Sequence, residues 1–235
     1  SINRYPDGST LFLRRAISEK YNIDVDRIAC GCGSDELIDI LVRCFSGPSD
    51  EVLFSQYGFL MYSIAAKSNG SIPIAAPEYN FKTDVHSILS SISDNTKVIL
   101  IANPNNPTGS YLNKIELELL CREVPKNILL VIDSAYAEFV TDEDYDSGIM
   151  FVNNFDNVVM TRTFSKLYGL ASLRLGWSYS SKYISEIIDK VRQPFNVNSL
   201  AQVAGIEALG DLEHENFIIT KNKDGVKVGL VTLNP

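Results

Sequence analysis

Positive charge is scarce in this 235-residue sequence: 21 Lys and Arg stand against 29 Asp and Glu, a formal net charge of −8. Nucleic acid and anionic membranes need clustered cations facing their phosphates, so both are poor partners. Long apolar runs are missing as well. The longest, such as Val98 to Ala102 and Ile128 to Ile132, are five residues, against the roughly 20 that a membrane helix needs. Ser1 to Pro6 hold no apolar signal-type core and no Met, so Ser1 is not read as a native start. Cysteine and histidine are sparse, at four and two residues. A chain with an ample core has no need of disulfides, so Cys30, Cys32, Cys44 and Cys121 are expected as free thiols in a reducing cytoplasm. Cys30-x-Cys32 lacks the two-residue spacing of zinc or thioredoxin motifs, and His86 and His214 lie far from it; no metal site is expected. A dinucleotide fingerprint, a Gly-x4-Gly-Lys-Ser/Thr loop and a Gly-x-Ser-x-Gly elbow are also missing, which argues against NAD-binding, ATP-binding and serine-hydrolase sites.

What is present is alternation. Short runs rich in Val and Ile alternate with segments of helical period, the pattern of β-α repeats around a mostly parallel sheet, so the fold class is α/β. The runs predict strands at 27–31, 51–55, 71–75, 98–102, 128–133, 158–163 and 174–179. Helices are predicted at 35–45, 58–68, 83–92, 114–123, 182–191 and 198–209, the last stopped by Gly210. A chain of this length can bury roughly 70% or more of its unfolded surface as one domain. Residues 1–215 read as that domain. After Glu215, Val226, Val228 and Leu230 alternate with Lys227, Gly229 and Val231, so 216–235 reads as an atypical, strand-like tail.

Ligands in open α/β sheets sit at the carboxyl ends of strands, and four segments there carry chemistry. Gly31-Cys32-Gly33-Ser34-Asp35-Glu36 puts glycines before a helix start, with Ser34 as a suitable N-cap and the helix dipole favouring an anion. The alternative is a plain cap. Asn103-Pro104-Asn105-Asn106-Pro107-Thr108-Gly109 is a loop stiffened by two prolines that presents asparagine amides in a set geometry, or a turn with Asn in its favoured place. Asp133-Ser134-Ala135-Tyr136 ends a very apolar strand, where a carboxylate either caps the next turn or meets a cation. In Thr161-Arg162-Thr163-Phe164-Ser165-Lys166-Leu167-Tyr168-Gly169, followed by Arg174 and Gly176, one lysine lies among hydroxyls. Such an amine becomes nucleophilic when partly desolvated, although a single lysine is usually a solvated surface charge.

Together these segments resemble, in this order, those of the fold-type I pyridoxal-phosphate aminotransferases, most closely the histidinol-phosphate aminotransferase family. Arg4-Tyr5-Pro6 matches as well, and the resemblance covers Asn3 to about Glu215. It implies the three-layer α/β/α large domain and pyridoxal 5'-phosphate as cofactor. Lys166 would carry the cofactor and move a proton, Asp133 would face the ring nitrogen, and Asn106 and Tyr136 would bond the ring oxygen. Ser34, Asp35, Thr163, Ser165 and Arg174 would hold the phosphate. Phe59 would stack on the ring, with Tyr57 as alternative, and Tyr5 would reach a neighbouring subunit's phosphate, implying a homodimer. The implied reaction is transamination between L-histidinol phosphate, as amino donor, and 2-oxoglutarate, a 2-oxo acid. Alternatives are another amino-acid aminotransferase, a same-fold decarboxylase or an inert cofactor-binding fragment. Ser134 and Ser172 depart from the family's usual Glu and Gly. Complete members also have an N-terminal segment and a C-terminal small domain, which this chain is expected to lack.

Overall fold

The computed structural model describes residues 3–223. Seven strands, β1 (Ile28–Gly31), β2 (Glu51–Ser55), β3 (Ile72–Ala76), β4 (Thr96–Ala102), β5 (Leu129–Asp133), β6 (Val158–Thr163) and β7 (Gly176–Tyr179), form one sheet in the order β1-β7-β6-β5-β4-β2-β3. The pairings β2 with β3, β2 with β4, β4 with β5 and β5 with β6 are parallel, and β7 runs antiparallel to both neighbours. The helices are α1 (Leu11–Tyr21), α2 (Ser34–Phe45), α3 (Met61–Ser68), α4 (Val85–Ser90), α5 (Lys114–Glu123), α6 (Ile149–Asn154), α7 (Lys182–Val191), α8 (Ser199–Gly210) and α9 (Leu212–Lys223).

The middles of β4 and β5 are apolar because both faces are covered. Along β4 and β5, Ile99, Ile101, Leu130 and Ile132 join a core with Leu13 and Ile17 of α1 and Leu117 and Leu120 of α5. Val98, Leu100, Leu129 and Val131 join the opposite core with Leu37 and Leu41 of α2, Tyr62 of α3 and Ile184 of α7. The result is the three-layer α/β/α architecture.

Local chemistry explains most helix ends. Asn113 and Glu116 form a reciprocal capping box on α5, and the Asn198 side chain accepts from Ala201 N–H at the start of α8. Several expectations shift, among them α4, which spans Val85–Ser90, and β4, which starts at Thr96. The last strand starts at Gly176 because Arg174 adopts a left-handed φ of 53°. Helix α3 starts at Met61, since Gly58 closes a turn onto Ser55. Gly210 ends α8 from inside it. Helix α9 carries helical structure past Glu215 to Lys223, while the strand expected over 226–231 lies outside the described residues. Helix α1 escaped the periodicity because Leu13 and Ile17, its fully buried residues, stand among Arg14, Arg15, Glu19 and Lys20. Among the described residues, no helix is long and apolar enough to cross a membrane.

Candidate functional site

Sheet register assembles the site. Ala102 of β4 pairs with Asp133 of β5, which pairs with Thr161 of β6, so three strand ends lie level. Asp133 continues the Leu129 and Val131 face of β5 and points its carboxylate beneath α3. There the Tyr62 hydroxyl donates to Oδ2 at 3.0 Å and the Thr161 hydroxyl to Oδ1 at 3.0 Å. Burial pushes the Asp133 carboxyl up to about 6, against the lowering effect of these two donors. A buried carboxylate with hydroxyl donors and no ion pair among the described residues is an arrangement that calls for a cation.

The antiparallel β7 builds the other end. Gly31 of β1 and Thr163 of β6 both pair with Gly176, which carries Arg174 to the start of α2. The Arg174 guanidinium donates to Asp35 Oδ2 at 3.0 Å and to the Ala171 carbonyl at 3.2 Å. The expected Ser34 cap does not form. Gly33 occupies the N-cap with φ 87° and no side chain bonds the helix end, so Ser34 lies in the first turn. A Cβ on Gly33 would meet Arg174 Nη2 at 2.6 Å, and one on Gly176 would meet Ser34 N at 2.3 Å. Gly176 therefore admits only hydrogen, its contact being with backbone, Gly33 favours glycine through its φ of 87°, and the helix start stays open to an anion. The loop is fixed from behind, where Glu36 Oε2 accepts from Cys32 N–H at 2.6 Å and from Asn196 Nδ2 at 2.7 Å. Gly176→Ala is expected to destabilise the chain by about 1–3 kcal/mol through this overlap; an unchanged urea midpoint would show that the contact gives way freely.

Between these ends lies a cleft of about 570 Å³. Its wall includes Ser34, Asp35, Phe59, Asn106, Asp133, Tyr136, Thr163, Ser165, Lys166 and Arg174. Lys166 is half-buried, its Nζ stands 5.2 Å from the centre of the Tyr136 ring, and it has no ion pair among the described residues. Asn106 faces the cleft from a loop held by Asn103, which exchanges hydrogen bonds with the Leu112 backbone at 2.7 and 3.2 Å. Phe59 is on the wall; Tyr57 is not, and packs on Phe81 at 5.2 Å. Tyr5 lies outside the cleft, 83% exposed and stacked on Phe195. Cys30 and Cys121 are buried free thiols, pushed by burial up to about 11 and about 12, and take no part in the wall.

Sequence reasoning missed Tyr62 and Thr161. Thr161 had a signal, a hydroxyl sharing a strand face with Thr163 in an otherwise apolar run. Tyr62 had no local signal tying it to Asp133, which lies 71 positions away in sequence. Tyr62→Phe is expected to lower stability at pH 7.5 by about 1.5–3 kcal/mol, the range for a hydrogen bond to a charged group, read from urea unfolding. A loss that persists below pH 4 would place the effect in packing instead.

The donor set suits a planar cofactor with a cationic ring nitrogen, a reactive carbonyl and a phosphate: carboxylate at one end, amine between, and helix start with guanidinium at the other. Comparison with known proteins agrees. Histidinol-phosphate aminotransferase of Rhodospirillum centenum is 50% identical over 214 residues, covering 91% of this chain and 59% of the relative. The enzyme of the same name from Paramagnetospirillum magneticum is 47% identical over 221 residues, covering 94% and 61%. The chain thus spans about 60% of the length of these curated relatives. The crystal structure of histidinol-phosphate aminotransferase from Sinorhizobium meliloti, in complex with pyridoxal-5'-phosphate, superposes with a TM-score of 0.91 at 27% identity, covering 95% of this chain and 61% of that one. Residues 1–227 match the model for "Aminotransferase class I and II", and the chain belongs to that family.

Proposed function

We propose that this chain is the cofactor-binding part of a pyridoxal-phosphate aminotransferase that moves an amino group between L-histidinol phosphate and 2-oxoglutarate, a step of histidine biosynthesis in the cytoplasm. The observation that carries it is the convergence of Lys166, Asp133, Asn106, Tyr136 and Arg174 on one cleft. When bound, pyridoxal phosphate supplies an electron-withdrawing ring that takes up the electron pair left when a proton leaves the substrate α-carbon.

Each residue has a task set by its place. Lys166 Nζ would hold the cofactor through its amine and, when free, would act as the acid/base for the proton that leaves the substrate α-carbon. Asp133 would hold a protonated ring nitrogen, and the hydroxyls of Tyr62 and Thr161 fix its carboxylate. Asn106 and Tyr136 would donate to the ring oxygen, and Phe59 would cover one ring face. Arg174, the α2 start at Ser34 and Asp35, and the hydroxyls of Thr163 and Ser165 would bind the phosphate. Tyr5, exposed and outside its own cleft, is assigned to the phosphate of a second subunit in a homodimer.

The test adds pyridoxal phosphate to the chain, reduces with borohydride and maps the labelled peptide; label on any lysine other than Lys166, or on none, would overturn the assignment. Substrate is tested with L-histidinol phosphate and 2-oxoglutarate on the full-length protein. Glutamate is the expected product, and carbon dioxide without glutamate would favour a decarboxylase.

A further inference from the structure

Behind the catalytic strand ends lies a buried ion pair that the proposed chemistry does not use. Arg162 sits between Thr161 and Thr163 on β6, so its side chain leaves the opposite face of the sheet from the Asp133 site. Its Nη2 donates to Glu138 Oε1 at 2.7 Å, and the two side chains are only 5% and 9% exposed. The guanidinium lies over the Tyr21 ring at 4.9 Å and reaches the Tyr21 hydroxyl at 3.4 Å. Tyr21 in turn shares a hydrogen bond with the Tyr168 hydroxyl at 2.9 Å.

Stability does not account for this pair. Removing two charges from water roughly cancels their attraction, and apolar residues of similar volume commonly serve as well or better. Arg162 Nε is also buried without a partner, a further penalty. What the pair does have is position. Glu138 lies two residues after Tyr136, and Tyr168 two residues after Lys166, so Arg162 ties together the two loops whose active side chains meet in the cleft, Lys166 Nζ and the Tyr136 ring, 5.2 Å apart. Helix α9 adds a second grip on the lysine loop, where His214 Nε2 bonds the Leu167 carbonyl at 3.1 Å.

We propose that Arg162 and Glu138 are positioning residues that set the Lys166 amine against the Tyr136 ring. The proposal deepens the function above and rests on it. Its test compares wild type, Arg162→Lys and the double variant Arg162→Met with Glu138→Leu, which leaves neither charge orphaned and keeps Tyr21 paired with Tyr168. Three quantities are read: the urea midpoint without cofactor, the rate at which the chain captures pyridoxal phosphate on Lys166, and the pH midpoint of the visible band of the loaded protein. The double variant is expected to unfold at or above the wild-type midpoint yet to capture the cofactor about tenfold more slowly. Its visible band is expected to titrate about half a pH unit or more higher, because Tyr136 no longer supports the ring oxygen. Arg162→Lys keeps the charge without the fork that reaches Glu138 and Tyr21 together, and is expected to fall between. Should the double variant fail to fold, Arg162→Lys decides alone. Capture at the wild-type rate with an unmoved band, in whichever variant folds, would reduce the pair to packing and overturn the proposal. Failure of wild-type Lys166 to take the label would instead overturn the function and this proposal with it.

Discussion

Lys166→Ala, in the full-length protein, is expected to cut glutamate formation by about 10⁴-fold or more while leaving the fold intact. The size follows from the two tasks placed on one amine. Losing a positioned acid/base group alone removes about 10²–10⁴ in rate, and losing the covalent anchor is added to that. The fold is expected to survive because Lys166 is half-buried and has no ion pair among the described residues; its removal leaves no charge without a partner. Arg174, Ser34 and Thr163 still offer an anion site, so the variant should retain cofactor non-covalently. The measurement is steady-state glutamate production beside a thermal melt. A loss below tenfold with an unchanged melt would take Lys166 out of the chemistry.

Asp133→Asn is expected to act in opposite directions on stability and turnover. In the cofactor-free chain the Asp133 carboxyl is raised to about 6 by burial. A raised carboxyl means that the folded state holds its proton more tightly than the unfolded state. The resulting penalty is absent below the unfolded value near 4, grows as pH rises through the folded value, and is complete above it. At pH 7.5 it is on the order of 2–3 kcal/mol. Asparagine carries no charge and can still bond the Tyr62 and Thr161 hydroxyls, which can reverse their roles. The cofactor-free variant should therefore be more stable at pH 7.5 and indistinguishable from wild type at pH 4. Turnover should fall by about 10²-fold or more, because a neutral amide does not hold a proton on the ring nitrogen. Equal stability at pH 7.5 would contradict the buried, ionised carboxylate; unchanged turnover would contradict its place opposite the ring nitrogen.

How much of this was legible in the sequence differs by residue. Lys114–Glu123 and Lys182–Val191 carry local signals, a capping box on the first and an apolar stripe of Ile184, Ile187, Ile188 and Val191 on the second, and both helices form with the expected ends. Asn103 to Gly109, Asp133 and Lys166 stood out because polar or rigid residues directly follow apolar strands. Ser34 misled, since a good capping residue next to Gly33 yields to the glycine when Arg174 fills the space above it. Helix α1 was silent, because charged residues interrupt its apolar face.

Local pattern was enough for the alternation of strands and helices, the ordered motifs and the identity of the amine, the carboxylate and the guanidinium. These follow from period, turn chemistry and residue type, all of which act over a few neighbours. Tertiary structure alone decided that β7 turns back between β1 and β6, which brings Arg174 to the start of α2, and that Tyr62 and Thr161 converge on Asp133. It also decided that Arg162, Glu138, Tyr21 and Tyr168 meet behind the Lys166 loop. Contacts of that kind join residues tens of positions apart, and they depend on strand order and register, which no local pattern encodes.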